Sequence, residues 1–170
     1  MICVIGYMGA GKSFISEHME KHFNWKVADL DEYIMKQEGS TIPDLLQDSE
    51  AYFRKLESVC LAAISQENFD LVSLGGGAAC SEKNMQIIKD KFTSIYLKWS
   101  PETLFNRLKN NKQNRPLIAH LSDDELKVFI EQSLAERSSY YNKADIVFDG
   151  DHQSIEELLT ILSDYALRKG

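Results

Sequence analysis

The chain is poor in the features that hold secreted or membrane-embedded folds together. It has only three cysteines, Cys3, Cys60 and Cys80, far apart and with no C-x-x-C pair. An odd, scattered set provides neither a disulfide framework nor a zinc site, and it suits a reducing compartment. No apolar run approaches the roughly 18 residues of a membrane span. The opening run of residues 1–5 ends at Gly6 without a charged leader, which is far too short for a signal peptide. A cytoplasmic protein with no membrane partner is therefore expected. Cations are scarce as well: 19 Lys and Arg against 26 Asp and Glu leave a formal charge of -7. That argues against nucleic acid as a partner, because binding a phosphate backbone takes a clustered basic surface. A few cations can still serve an anionic ligand if they converge on one pocket, so their positions matter more than their number.

What the chain does have is 170 residues, enough for one domain with a core of its own. Repeats, low-complexity tracts and linkers are missing, so residues 1–170 are expected to form a single domain. A monomer is the expected state. Apolar runs alternate with helical patterns throughout. Strands are expected at Ile2-Cys3-Val4-Ile5, at Trp25-Lys26-Val27-Ala28, at Leu71-Val72-Ser73-Leu74, at residues 94–99 and at Asp145-Ile146-Val147-Phe148. Thr41 with Asp44, Ser122 with Glu125 and Ser154 with Glu157 are spaced as capping boxes, Ser81 reads as another helix start, and Ser100-Pro101 reads as an N-cap followed by proline at the first helical position. Phe53, Leu56, Cys60 and Ile64 recur at helical spacing. Five strands interleaved with helices argue for βαβ units around a parallel sheet, an α/β fold. The segment 110–124, rich in Asn, Lys and Asp, reads as a mobile flap.

The sharpest motif is Gly6-Tyr7-Met8-Gly9-Ala10-Gly11-Lys12-Ser13, a full G-x-x-x-x-G-K-[ST] placed between an apolar strand and a helix. Glycines let backbone N–H groups turn inward around phosphate oxygens, and the helix behind presents its positive end. Lys12 would reach the β- and γ-phosphates of a nucleotide, and the Ser13 hydroxyl would ligate Mg²⁺. A chance match in a chain of this size is on the order of one in a hundred.

What becomes of the γ-phosphate depends on other residues. A GTPase switch would need D-x-x-G, which is missing. Asn142-Lys143-Ala144-Asp145 spells N-K-x-D but precedes a strand instead of following one, so it reads as coincidence. No strand ends in the acidic residue of a Walker-B motif, and magnesium therefore needs another carboxylate. Asp29-Leu30-Asp31 supplies two; along an extended segment both would face one side. One could hold hydrated Mg²⁺ while the other receives a substrate hydroxyl proton. Arg54 precedes Glu57 by three residues, a spacing at which the carboxylate can orient the guanidinium. Gly75-Gly76-Gly77 at a strand end permits close backbone approach to a ligand. Arg115-Pro116-Leu117 places a cation on the flap, and Arg137 follows Glu136 on a later helix. A surface ion pair, a plain turn and an ordinary loop arginine are the bland alternatives for these last features taken singly. The four histidines show no catalytic grouping.

Taken in order, the P-loop, Asp29-x-Asp31, Phe53-Arg54-x-x-Glu57, the three glycines, Arg115-Pro116-Leu117 and Glu136-Arg137 resemble the shikimate kinases, over about residues 1–149. The resemblance implies a five-stranded parallel sheet flanked by helices, as in the related P-loop nucleoside monophosphate kinases. It implies ATP and shikimate as partners, Mg²⁺ as cofactor, and transfer of the γ-phosphoryl to the shikimate 3-hydroxyl, a step of chorismate biosynthesis. Catalysis would then rest on Asp31, Lys12 and Arg115, and ATP would be held by Gly9, Ala10, Gly11, Lys12, Ser13, Phe14 and Arg115. Shikimate would meet Asp31, Arg54, Gly76, Gly77 and Arg137, and the metal would meet Ser13 and, through water, Asp29. The chain departs from some relatives after its fifth strand, where Gly150-Asp151-His152-Gln153 lacks an arginine to stack on adenine; Gln153 or Arg107 is expected at the base instead. A gluconate or nucleoside monophosphate kinase, and a nucleotide-binding regulator without phosphotransfer, are the rival readings.

Overall fold

The computed structural model describes residues 1–167, the side chains of Asn114, Ala166 and Leu167 excepted; the last three residues of the expected 1–170 domain lie outside it. Five parallel strands form one sheet in the order β2-β3-β1-β4-β5: β1 (Ile2–Ile5), β2 (Val27–Asp29), β3 (Leu71–Ser73), β4 (Thr93–Lys98) and β5 (Ile146–Asp149). β1 lies at the centre, and each of its four residues is essentially unexposed, as a strand covered on both faces must be. Alternation divides those residues between two helical layers. Cys3 and Ile5 join Leu61, Ile88 and Tyr141 on one face, while Ile2 and Val4 join Ile15, Met19, Leu158 and Leu162 on the other.

The helices are α1 (Lys12–Phe23), α2 (Leu30–Glu38), α3 (Ile42–Asp48), α4 (Glu50–Ile64), α5 (Glu82–Lys91), α6 (Pro101–Leu108), α7 (Asp123–Tyr141) and α8 (Ile155–Leu167). Most begin where the sequence signals them. Ser81, Ser100 and Ser122 each accept an N–H of the first turn, and Ser122 with Glu125 closes a full capping box. Ser154 and Glu157 exchange the same reciprocal bonds.

Two expectations fail locally. The second strand is shifted to Val27–Asp29, with Lys26 turned to Asp70, whose backbone N–H donates to the Lys26 carbonyl. The Asp29-Leu30-Asp31 stretch is not extended: Asp29 ends β2 and accepts N–H bonds from Asp31 and Glu32, which starts α2. Capping preference thus overrides alternation there. A further break at Ser49, whose hydroxyl accepts from the Tyr52 N–H, separates α3 from α4. The Asn142-Lys143-Ala144-Asp145 stretch proves structural. Asp145 accepts both the backbone N–H and the hydroxyl of Ser94, and Lys143 pairs with Glu82.

The segment 110–124 holds a short 3-10 turn at Lys112–Asn114. Ile118 is fully buried with Leu104, Leu108, Leu126 and Ile130, and Lys112 reaches the Leu121 carbonyl and Asp123.

Candidate active site

The loops leaving the carboxyl ends of β1, β2 and β3 meet where β1 passes between β3 and β4, the position at which open α/β sheets bind ligands. They enclose a cavity of about 530 Å³. Lys12, Ser13, Asp29, Asp31, Arg54, Gly76, Gly77, Arg115 and Arg137 all line it, and so do Gly9, Gly11 and Phe14. Six elements far apart in sequence therefore deliver their expected residues to one place. Ala10 does not: it lines an adjoining cavity of about 430 Å³ together with Phe14, Trp99, Arg107 and Gln153. The two cavities share Gly9, Gly11, Phe14 and Arg107, so they adjoin across the P-loop.

Gly11, at φ 97°, turns the chain into α1 through a left-handed conformation that a side chain would resist. Lys12 then folds back over the loop, donating to the carbonyls of Gly6 at 2.9 Å and Tyr7 at 3.1 Å. Burial lowers its pKa to about 8, against the pull of Asp31 and Asp29. Burial likewise raises the Asp31 carboxyl to about 6, helped by Asp29 and Glu57 and opposed by Lys12 and Arg54. Opposite charges face each other here, yet desolvation dominates both. Each is short of compensation, and an arriving phosphate or hydroxyl can provide it.

Arg54 on α4 donates through Nη1 to Glu57 at 2.8 Å and through Nη2 to Glu50 at 3.1 Å. The Glu57 side chain is 3% exposed and the Arg54 side chain 43%. A buried carboxylate thus grips one edge of the guanidinium while the rest stays open to the cavity. The Glu57 role follows from sequence spacing; that of Glu50, at i−4, is signalled by the same rule but was not anticipated. Arg137 on α7 lines the same cavity, 5.5 Å from the centre of the Tyr7 ring, and makes no ion pair among the described residues.

The three glycines fit because two charged side chains press on them. A Cβ on Gly75 would lie 2.6 Å from Asp31 Oδ1, and one on Gly77 would lie 2.7 Å from Arg54 Nη1. In the adjoining cavity the Arg107 guanidinium lies 3.6 Å over the Trp99 ring, and the Trp99 indole donates to the Ala10 carbonyl at 2.9 Å. Gln153 lines the same cavity, its amide oxygen accepting the Asp149 N–H. Trp99 is the residue that sequence reasoning missed on this side, since a lone aromatic after a strand carries no local signal.

The donors available to a metal are the Ser13 hydroxyl, at the exposed start of α1, and Asp29. Both capping bonds of Asp29 fall on Oδ1; its Oδ2 accepts none among the described residues. One hydroxyl and one carboxylate oxygen beside a phosphate loop suit a hydrated Mg²⁺, which keeps several waters and leans on substrate phosphates. No cluster of three or more His, Cys, Asp and Glu among the described residues could form a dedicated protein cage.

The chain matches the family model "Shikimate kinase" over residues 8–165. It is 39% identical over 166 residues to a shikimate kinase of Flavobacterium johnsoniae, covering 96% of each chain, and 36% identical over 151 residues to one of Bacteroides thetaiotaomicron, covering 88% of this chain and 86% of that one. Among solved structures it is similar to the shikimate kinase of Bacteroides thetaiotaomicron, with TM-score 0.84, 32% identity and 96% coverage of each chain. It is also similar to that of Acinetobacter baumannii in complex with shikimate, with TM-score 0.82, 25% identity, and coverage of 99% of this chain and 93% of that one.

Proposed function

The chain belongs to the shikimate kinase family and transfers the γ-phosphoryl of ATP to shikimate, and we propose that its residues divide that work as follows. ATP lays its phosphates along the P-loop, with backbone amides from Gly9 to Phe14 around the β-phosphate and Lys12 released from the Gly6 and Tyr7 carbonyls to meet the γ-phosphate. Adenine occupies the adjoining cavity, bordered by Arg107 and Gln153. Shikimate sits at the opposite end of the main cavity, its carboxylate between Arg54 and Arg137, where the guanidinium fork matches two oxygens at once. Glu57 and Glu50 hold Arg54 in that orientation.

Asp31 takes the proton of the 3-hydroxyl as that oxygen bonds to the γ-phosphorus and the bond to the β-bridging oxygen breaks, releasing ADP. Its pKa of about 6 leaves it ionised at pH 7 and better matched to a proton transfer than an ordinary carboxylate. Ser13 and, through water, Asp29 would hold Mg²⁺, which when bound supplies neutralisation of phosphate charge. Arg115 adds a further cation from the segment 110–124. With Ile118 buried and Lys112 tied to Asp123, closure is confined to the tip at Arg115, Pro116 and Leu117, and it excludes water that would compete as acceptor. The enzyme is proposed to work as a cytoplasmic monomer needing neither membrane nor nucleic acid.

One observation supports this reading above the others: Lys12, Asp31, Arg54 and Arg137 line a single cavity. Phosphoryl transfer asks mainly for positioning and charge neutralisation, and this set offers both. A coupled ADP-release assay with shikimate, quinate, gluconate and nucleoside monophosphates side by side tests it. Shikimate should be preferred by orders of magnitude in kcat/KM; equal turnover of gluconate would overturn the substrate assignment.

A further inference from the structure

The Gly75-Gly76-Gly77 turn brings backbone, not side chains, to the substrate cavity. Among the described residues neither the Gly76 nor the Gly77 N–H meets an acceptor in the protein. The carbonyl between them, by contrast, is tightly engaged. Tyr141, fully buried at the end of α7, donates its hydroxyl to the Gly76 carbonyl, and the Cys80 thiol approaches the same oxygen at 3.7 Å. None of the described residues has a cis peptide bond, so the Gly76 C=O and the Gly77 N–H point in opposite directions. Fixing the carbonyl toward Tyr141 therefore aims the Gly77 amide away from it. Without that anchor a peptide between two glycines is free to rotate, since neither neighbour restricts φ and ψ.

The anchor itself is rigid. The Tyr141 ring packs at 5.0 Å from that of Tyr96, and burial keeps its hydroxyl protonated, hence a donor, far into the alkaline range. The Arg137 guanidinium lies beside the same hydroxyl, and Arg137 Nη1 is 3.6 Å from the point where a Gly76 Cβ would stand. One buried phenol thus touches both the turn and the arginine expected to receive the substrate carboxylate.

We propose that Tyr141 is a positioning residue for shikimate, which aims the Gly77 amide into the substrate site by pinning the Gly76 carbonyl from behind. The assignment rests on shikimate occupying this cavity. Tyr141→Phe keeps the ring and removes only the hydroxyl, and Tyr96→Phe removes a hydroxyl from the other ring of the pair, one that makes no hydrogen bond to Gly76 among the described residues. With Tyr141→Phe the shikimate KM should rise about fivefold, while kcat and the ATP KM stay within about twofold. The ¹⁵N–¹H signal of Gly77 should be sharp and shifted by shikimate in the wild type and should broaden in this variant. Tyr96→Phe should leave both readouts as they were. An unchanged shikimate KM in Tyr141→Phe, or an equal rise in both variants, would reduce Tyr141 to core packing and overturn the proposal. A wild-type protein that binds ATP but does not turn over shikimate would instead bring down the functional reading, and this inference with it.

Discussion

Replacing Asp31 by asparagine should leave the protein more stable and the enzyme inactive. The ordinary carboxyl value of 3.8 is pushed up to about 6 by burial first, and then by Asp29 and Glu57. A shift of that size means that ionised Asp31 costs the folded state about 3 kcal/mol at pH 8. The folded value lies above the unfolded one. The native protein therefore takes up a proton as the pH falls through 6, whereas the unfolded chain does so only near 4, and stability rises across that window. Asparagine carries no charge and escapes the cost. Solvent in an open cavity reduces the figure, so Asp31→Asn should gain roughly 1–3 kcal/mol at pH 8, shrinking to about a third of that at pH 4.5. Urea unfolding of the ligand-free proteins at both pH values measures it. Turnover should fall by at least about 100-fold with the ATP KM nearly unchanged, because only the proton acceptor is lost. A destabilised variant, or a gain that is the same at both pH values, would refute the assignment of the cost to a buried charge. A parallel fall in kcat and ATP affinity would move Asp31 to the nucleotide side.

The same carboxyl should set the acid limb of catalysis: kcat/KM for shikimate is expected to fall about tenfold per unit below pH 6, and a flat profile down to pH 5 would remove Asp31 as the proton acceptor. Lys12→Ala should lower turnover by roughly 1,000-fold, since the γ-phosphate loses its principal cation; single-turnover rates near those of the wild type would contradict that role. Arg54→Lys should raise the shikimate KM about tenfold with little change in kcat, through loss of the planar fork held by Glu57 and Glu50. Gly75→Ala places a Cβ 2.6 Å from Asp31 Oδ1, so kcat should drop at least about tenfold while ATP binding, followed by calorimetry, persists.

Arg54 illustrates why such a site tolerates its own charge. Its guanidinium is shared between an exposed and a buried carboxylate, yet its Nη1 stays close to the Gly77 backbone. A pair of this kind adds little to stability when one member is well exposed. In the proposed site its value would lie in orientation, since a restrained guanidinium loses less freedom on meeting a substrate carboxylate.

Local physics made much of this molecule readable in one dimension. The P-loop, the serine caps of α5, α6 and α7 and the apolar strands are short-range consequences of residue type, and all but the shifted second strand stand close to where spacing puts them. Spacing also paired Arg54 with Glu57, because three residues on a helix are one turn. Local competition misled the reading at Asp29, where one side chain could either alternate along a strand or cap a helix, and the cap won. A side-chain cap likewise starts α4 at Ser49. Contacts across long stretches of chain had no such signal. That Tyr141 reaches the carbonyl of Gly76, that Trp99 lies under Arg107, and that Asp31 and Lys12 are both buried enough to shift toward neutrality depends on which loops the strand order β2-β3-β1-β4-β5 brings together. The sequence by itself determined which chemical groups are present and the local elements that carry them. Only the tertiary structure decided their mutual distances and the dielectric around them, because burial and convergence are properties of the packed sheet and not of any segment of it.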